Sequence, residues 1–373
     1  MEQNRHSDLI VVGAGIVGLA HAYEAHRQGL SVRIIERDAR PNGASIRNFG
    51  HCCITAQGGE QLEMSYRSRA GWLDAAKDVG FWAPEAGAVS VARTEAELRV
   101  LEEFASARGS EAAQLLTAAQ VRERLGRPGA DPRIVGGAFL PADLRVDPRV
   151  TAPAIADWLQ AQDGVEIEWR TTVGHVADGV VSTSRGEFTA SDVFVCVNHD
   201  MDYLYPELAD RWQVRRCALQ MALASPVAGW SLDSAVISGT SLVRYDGFGE
   251  MPGIQAVRDE LRAQTPELVD MGANVMFTRR PDGTVILGDS HVYGATIGPF
   301  NEEWISDRLV DEIGSIMGEK LNVVQRWQGI YASSALTNVV DERVDDRTRV
   351  ISVTSGIGMT LSFGLAARSF ALV

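Results

Sequence analysis

At 373 residues the chain has room for one large domain or two moderate ones, and 45% hydrophobic residues supply a sizeable core. A formal charge of −14 argues against nucleic acid or an anionic membrane surface as partner, because both need a local excess of Lys and Arg. Any anion must instead be met by a few placed arginines, since Lys77 and Lys320 are the only lysines among 35 basic residues.

From Asp8 the chain reads DLIVVGAGIVGLAHAYEAHRQGLSVRIIER. An apolar β-branched strand over 8–12 leads into Gly13, Gly15 and Gly18, the GxGxxG turn that opens a helix of helical apolar spacing. A second strand follows over Leu30 to Ile35 and ends at Glu36. In this arrangement the glycines, with Ala14 and Ile16 between them, make a tight turn, admit a pyrophosphate to the helix N-terminus and allow close packing. Glu36, with Arg37 beside it, is positioned to accept bonds from a ribose 2′-hydroxyl, which favours NAD or FAD over NADP.

A glycine-punctuated loop, ARPNGASIRNFGHCC, comes next, and then polar helical stretches over about 60–80 and 95–125. EFTASDVFVCVNHD (187–200) reads as a buried strand ending at His199 and Asp200. The C-terminal stretch 349–373 reads as strand, glycine turn and helix. Nucleotide-domain pieces thus recur at the start, middle and end, whereas an NAD dehydrogenase would run directly into further βα units.

This layout resembles the glycine oxidase, sarcosine oxidase and D-amino-acid oxidase superfamily of FAD enzymes. The resemblance implies an α/β fold: a Rossmann-type FAD-binding domain (1–80, 147–213 and 326–373) and a discontinuous α+β substrate domain on an antiparallel sheet (81–146 and 214–325). It assigns the cofactor to the first turn, to Gly43, Ala44, Ser45, Arg47, Asn48, Phe49 and Gly50, to Val173 and Asn198, and to Gly356, Ile357, Gly358, Met359 and Thr360. Ser333 and Ser334 are expected along the flavin edge.

Arg47 stands where some relatives attach FAD through His, and WQGIYASS (327–334) has no Cys, so FAD is expected to be non-covalent. Tyr331 occupies the point where amino-acid oxidases hold a substrate carboxylate with Arg. Lys77 and Lys320 fall in stretches read as surface helices, which leaves oxygen or another electron acceptor open. The words GASIRNFG, SLVRYDGFG, VILGDSHVYG and SGIGMTLSFG resemble a subgroup associated with aminophosphonate breakdown.

The implied reaction is oxidation of a small anionic amine by hydride transfer to FAD, followed by imine hydrolysis. His291 and Tyr331 are the catalytic candidates, and Arg244, Tyr245, Arg47 and Tyr293 the substrate-binding ones, Arg because its planar fork suits a phosphonate or carboxylate. Arg244 is expected after an apolar strand, and Arg279 and Arg280 at a solvated hairpin end. Competing readings are an oxidase of glycine, sarcosine or a D-amino acid, and a flavin-holding protein without amine chemistry. Four cysteines without metal spacing, no signal-like start and no long apolar run lead to the expectation of a reduced cytoplasmic protein without bound metal or membrane anchor.

Overall fold

The computed structural model describes residues 5–371; the outer ends of the expected spans 1–80 and 326–373, residues 1–4 and 372–373, lie outside the described residues. Strand β1 (His6–Val12), helix α1 (Ile16–Arg27) and strand β2 (Val32–Ile35) form where the apolar runs and the glycine turn call for them. They centre an eight-stranded sheet. Its path runs Val339–Arg343, Thr348–Val353, Gly186–Val195, β1, β2, Val165–Glu168, with parallel pairing throughout except at the first edge. The short antiparallel strands Val173–Ala177 and Val180–Thr183 attach to Gly186–Val195.

Helices α1, Gly59–Val79 and Gly358–Ala371 pack on one face, around Leu19, Trp72 and Phe363. The other face carries Val193, Met201 and Leu208. Both faces are covered, which is why β2 reads as an uninterrupted buried run with even Arg33 enclosed.

A nine-stranded sheet forms the second layer system: Val292–Gly294, Arg215–Ala224, Val285–Gly288, Met276–Arg279, Ala235–Ile237, Ala88–Ala92, Gly136–Leu140, Gln114–Thr117, with Val323–Ser333 also paired to Arg215–Ala224. It is antiparallel apart from the parallel pair Ala235–Ile237 and Ala88–Ala92. The expected boundary at 326 falls inside Val323–Ser333, whose pairing runs from Val323 with Ala224 to Ser333 with Arg215, so this sheet continues to Ser333.

The expected helical stretch 95–125 is broken. A helix over Glu95–Arg108 stops at Gly109, where φ is +84°; the strand Gln114–Thr117 follows, and Thr117 and Gln120 form a capping box for the helix Ala118–Arg124. Lys77 is exposed on the helix Gly59–Val79, but exposed Lys320 lies beyond the end of the helix Glu303–Met317. Among the described residues no helix is long and apolar enough to cross a membrane.

Candidate active site

A cavity of about 430 Å³ lies between the two sheets and runs from the glycine turn to the nine-stranded sheet. At its nucleotide end Gly13 adopts φ +102°, and a Cβ there would sit 2.7 Å from the Cys196 carbonyl oxygen. A Cβ on Gly18 would sit 2.0 Å from the carbonyl oxygen of Gly13, so α1 rests directly on its own turn. Glu36 accepts the Ala14 N–H at 2.8 Å and the Asp38 N–H at 2.9 Å, which aims the carboxylate across the mouth of the turn. Of the expected turn residues, Gly13, Gly15, Ile16, Glu36 and Arg37 line the cavity, whereas Ala14 and Gly18 support it from behind.

The loop after Glu36 is tied to this turn and to itself. Ser45 Oγ accepts the Ile16 N–H at 2.8 Å, and Asn48 donates to the carbonyls of Ala44 and Ser45 while accepting the Gly50 N–H at 2.7 Å. Arg145, wholly buried, donates to the carbonyls of Gly50, Phe49, Asp233 and Arg279, and Thr278 donates to that of Phe49. These bonds pin the loop against the nine-stranded sheet. Arg47 lines the cavity and donates to the Gln328 carbonyl at 3.3 Å. Gly50 is set back, since a Cβ there would meet the Val146 carbonyl oxygen at 2.0 Å.

Val173, Asn198, Gly356, Ile357, Gly358, Met359 and Thr360 line the same cavity. Asn198 takes φ +56° and accepts the Ala332 N–H at 2.5 Å. Gly43 and Gly358 face open space, where a Cβ would meet no atom within 4 Å. A Gly-walled gap beside two helix N-termini, with an aimed carboxylate at one end, fits the pyrophosphate and ribose of a dinucleotide. His199 and Asp200 also border it, and Asp200 is held by Arg37 at 2.6 Å and Arg216 at 3.4 Å.

At the far end Arg244, Tyr331, Tyr245 and His291 converge. Arg244 follows the helical turn Gly239–Leu242 rather than a strand; Ser238, Thr240 and Ser241 spend their hydroxyls on Val275 and Asn274, which holds this turn against the sheet. Its guanidinium donates to the Tyr331 hydroxyl at 3.0 Å. Burial opposes that charge, but Tyr331 and Asp289 outweigh it and raise the pKa of Arg244 above its ordinary value. Burial raises the Tyr331 and Tyr245 hydroxyls well above theirs.

His291 donates from Nδ1 to the Gly272 carbonyl at 2.8 Å, which leaves the Nε2 lone pair free to accept. Burial and the Arg244 charge hold its pKa well below 6.5. Asp289, 3.9 Å from His291 Nε2, is pushed by burial up to about 7. Sequence reasoning passed over Asp289; an acid between Gly288 and Ser290, just after a buried apolar strand, was the signal available.

Tyr293, 45% exposed, and Ser333 and Ser334 line an adjoining cavity of about 420 Å³ that shares Arg244, Tyr245 and Tyr331 with the first. Arg280 stands at a hairpin end but is not solvated: its side chain is 13% exposed and paired with Asp147 at 3.0 Å. His51, Cys53 and Asp143 place ligand atoms within 4.8 Å of one another, but Asp143 already accepts the N–H groups of Ile54 and Thr55 and the ring of His51. That cluster ties the loop together.

The family model described as FAD dependent oxidoreductase matches residues 8–370. None of the curated proteins matches the chain. Among solved structures it is similar to glycine oxidase from Geobacillus kaustophilus, at 19% identity over 98% of this chain and 94% of that one, with a TM-score of 0.77. Glycine oxidase from Bacillus cereus is similar at 17% identity over 98% and 94%, TM-score 0.79. FAD-bound L-α-glycerophosphate oxidase from Mycoplasma pneumoniae follows at 19% identity over 99% and 95%, TM-score 0.74. The glycine turn, the aimed Glu36 and the family match over nearly the whole length together establish that the chain belongs to the FAD dependent oxidoreductases, with FAD as its cofactor.

Proposed function

We propose that the protein oxidises a small amine bearing an anionic group, with an aminophosphonate such as 2-aminoethylphosphonate or its N-methyl or hydroxy derivative as the preferred substrate. The observation that carries this reading is Arg244: a charged guanidinium at the inner end of the FAD cavity, braced by Tyr331 and with donors left over. A planar fork there offers two charge-assisted bonds to a tetrahedral or planar anion. Two of the similar structures are named for glycine oxidase and one for L-α-glycerophosphate oxidase, enzymes whose named substrates carry an anionic group.

FAD, when bound, supplies the electron sink that accepts hydride from the carbon next to nitrogen. Arg244 and Tyr331 hold the anion and so fix that carbon, while Tyr245, Met276 and Leu219 wall the space and limit water. His291 remains neutral and offers Nε2 as an acceptor. The imine released is hydrolysed by water to aldehyde and amine. Arg47 faces either the cofactor phosphates or the substrate anion, FAD is held without a covalent bond, and the protein works in the cytoplasm with oxygen or another acceptor.

The test is anaerobic bleaching of the FAD-loaded protein by 2-aminoethylphosphonate, its N-methyl and 1-hydroxy forms, sarcosine, glycine and D-alanine, followed by air. Fastest bleaching by a phosphonate is expected, and the recovery rate in air separates oxidase from dehydrogenase. Faster bleaching by sarcosine or glycine would replace the phosphonate with a carboxylate, and no bleaching by any amine would leave only flavin binding.

A further inference from the structure

We propose that Asp289 recognises the substrate's ammonium group and takes its proton, so that Arg244 and Asp289 read the two ends of a zwitterion. This rests on the reading that an anionic amine is the substrate. Asp289 lines the FAD cavity, is 3% exposed, and its Oδ1 has no hydrogen-bond partner among the described residues. A buried carboxylate oxygen left without a donor is costly unless a ligand supplies one. The backbone bonds between Asp289 and Asn274, at 2.8 and 2.9 Å, hold its main chain in place.

The groups facing it fit an ammonium ligand. Arg244 supplies charge but spends its located bond on Tyr331. His291, Tyr245 and Cys217 border it as neutral groups, His291 because burial and Arg244 suppress its charge and the other two because burial raises their pKa values. Asp289 is therefore the acid that faces this end of the cavity, balanced by one arginine that the substrate anion would engage.

In the step assigned to it, one N–H bond of the ammonium breaks and an O–H bond forms at the Asp289 carboxylate. The electron pair stays on nitrogen, giving the neutral amine that hydride loss requires. Burial pushes Asp289 up to about 7, within reach of that proton at neutral pH. His291 is held too far below its ordinary value to keep it.

The experiment measures affinity on FAD-loaded protein through the flavin absorbance, using paired ligands: 2-aminoethylphosphonate against ethylphosphonate, and glycine against acetate. For an amine that is oxidised, Kd comes from the concentration dependence of anaerobic bleaching. Asp289→Asn is expected to weaken the amine member of the pair about tenfold or more and the amine-free member less than about twofold, with Asp289→Glu retaining part of the preference. Equal weakening of both members would overturn the proposal. If only the glycine and acetate pair binds, the phosphonate reading fails while Asp289 is judged on that pair by the same criterion.

A readout without variants uses taurine and ethanesulfonate on the wild-type protein, since neither molecule changes charge appreciably between about pH 5.5 and 7.5. The advantage of taurine is expected to fall as pH drops through about 7 and Asp289 takes a proton from solvent. A ratio independent of pH would overturn the assignment.

Discussion

Substituting Gly358 by Ala separates what a glycine does for the fold from what it does for the cofactor. Gly358 opens the final helix, and its added Cβ meets nothing within 4 Å, so the protein alone has room for it. Reduced freedom of the unfolded chain should stabilise the apoprotein by about 0.4–1 kcal/mol. The same methyl would occupy the gap that fits the cofactor. Overpacking typically costs about 1–3 kcal/mol, which weakens FAD binding by roughly 5- to 150-fold.

Gly18→Ala is the counterpart. Its Cβ would stand 2.0 Å from the Gly13 carbonyl oxygen and 3.1 Å from Val11, so α1 must lift from the turn. A loss of about 3 kcal/mol, over an unfolding entropy near 0.8 kcal/mol per kelvin for 373 residues, lowers the melting temperature of the apoprotein by about 4 °C. Thermal unfolding of deflavinated protein and FAD titration by fluorescence quenching measure the two quantities. An unchanged FAD affinity in Gly358→Ala, or a large drop in its apoprotein melting temperature, would refute the reasoning.

Arg244→Met should lower the second-order rate of flavin bleaching by anionic amines roughly 10²- to 10⁴-fold, from two charge-assisted bonds at about 1.5–3 kcal/mol each, with Arg244→Lys recovering part; stopped-flow bleaching measures it. Acid precipitation of the protein should leave yellow FAD in the supernatant, and colour retained in the pellet would mean a covalent bond. Burial lowers His21 from 6.5 to about 4, so the unfolded chain binds a proton that the fold refuses, and stability is lost as pH falls from 6.5 towards 4. In His21→Gln the slope of unfolding free energy against pH in that window should be smaller by about 1.4 kcal/mol per pH unit, as read by denaturant titration.

The nucleotide end was legible in the sequence because its geometry is local. Gly13, Gly15, Gly18 and Glu36 stand at fixed spacing within one βαβ unit, and Asn48 closes its own loop. What escaped depends on partners far along the chain. SLVRYDGFG looks like a strand and turn, yet Ser238, Thr240 and Ser241 bond to Asn274 and Val275, and so it forms two short helices. Tyr293 and Ser333 border the adjoining cavity, a placement set by register against Cys217 and Arg215 on a strand far along the chain. Asp289 was hidden for the same reason: its value as a ligand comes from Arg244 and His291 closing around it.

The cavity closes only when the two ends of the chain meet. The Cys53 N–H reaches Thr360 Oγ1 at 3.1 Å across 307 residues, and Trp72 reaches the Met359 carbonyl at 2.7 Å across 287. Contacts of such separation form late and slowly, so a chain emerging from the ribosome has the first glycine turn long before it has a place for FAD. Once closed, FAD at a hundredfold excess over its Kd adds about 2.7 kcal/mol to the folded state alone. Flavin supply would then set how much of this protein survives proteolysis in a cell, with the freshly made, flavin-free chain as the vulnerable species.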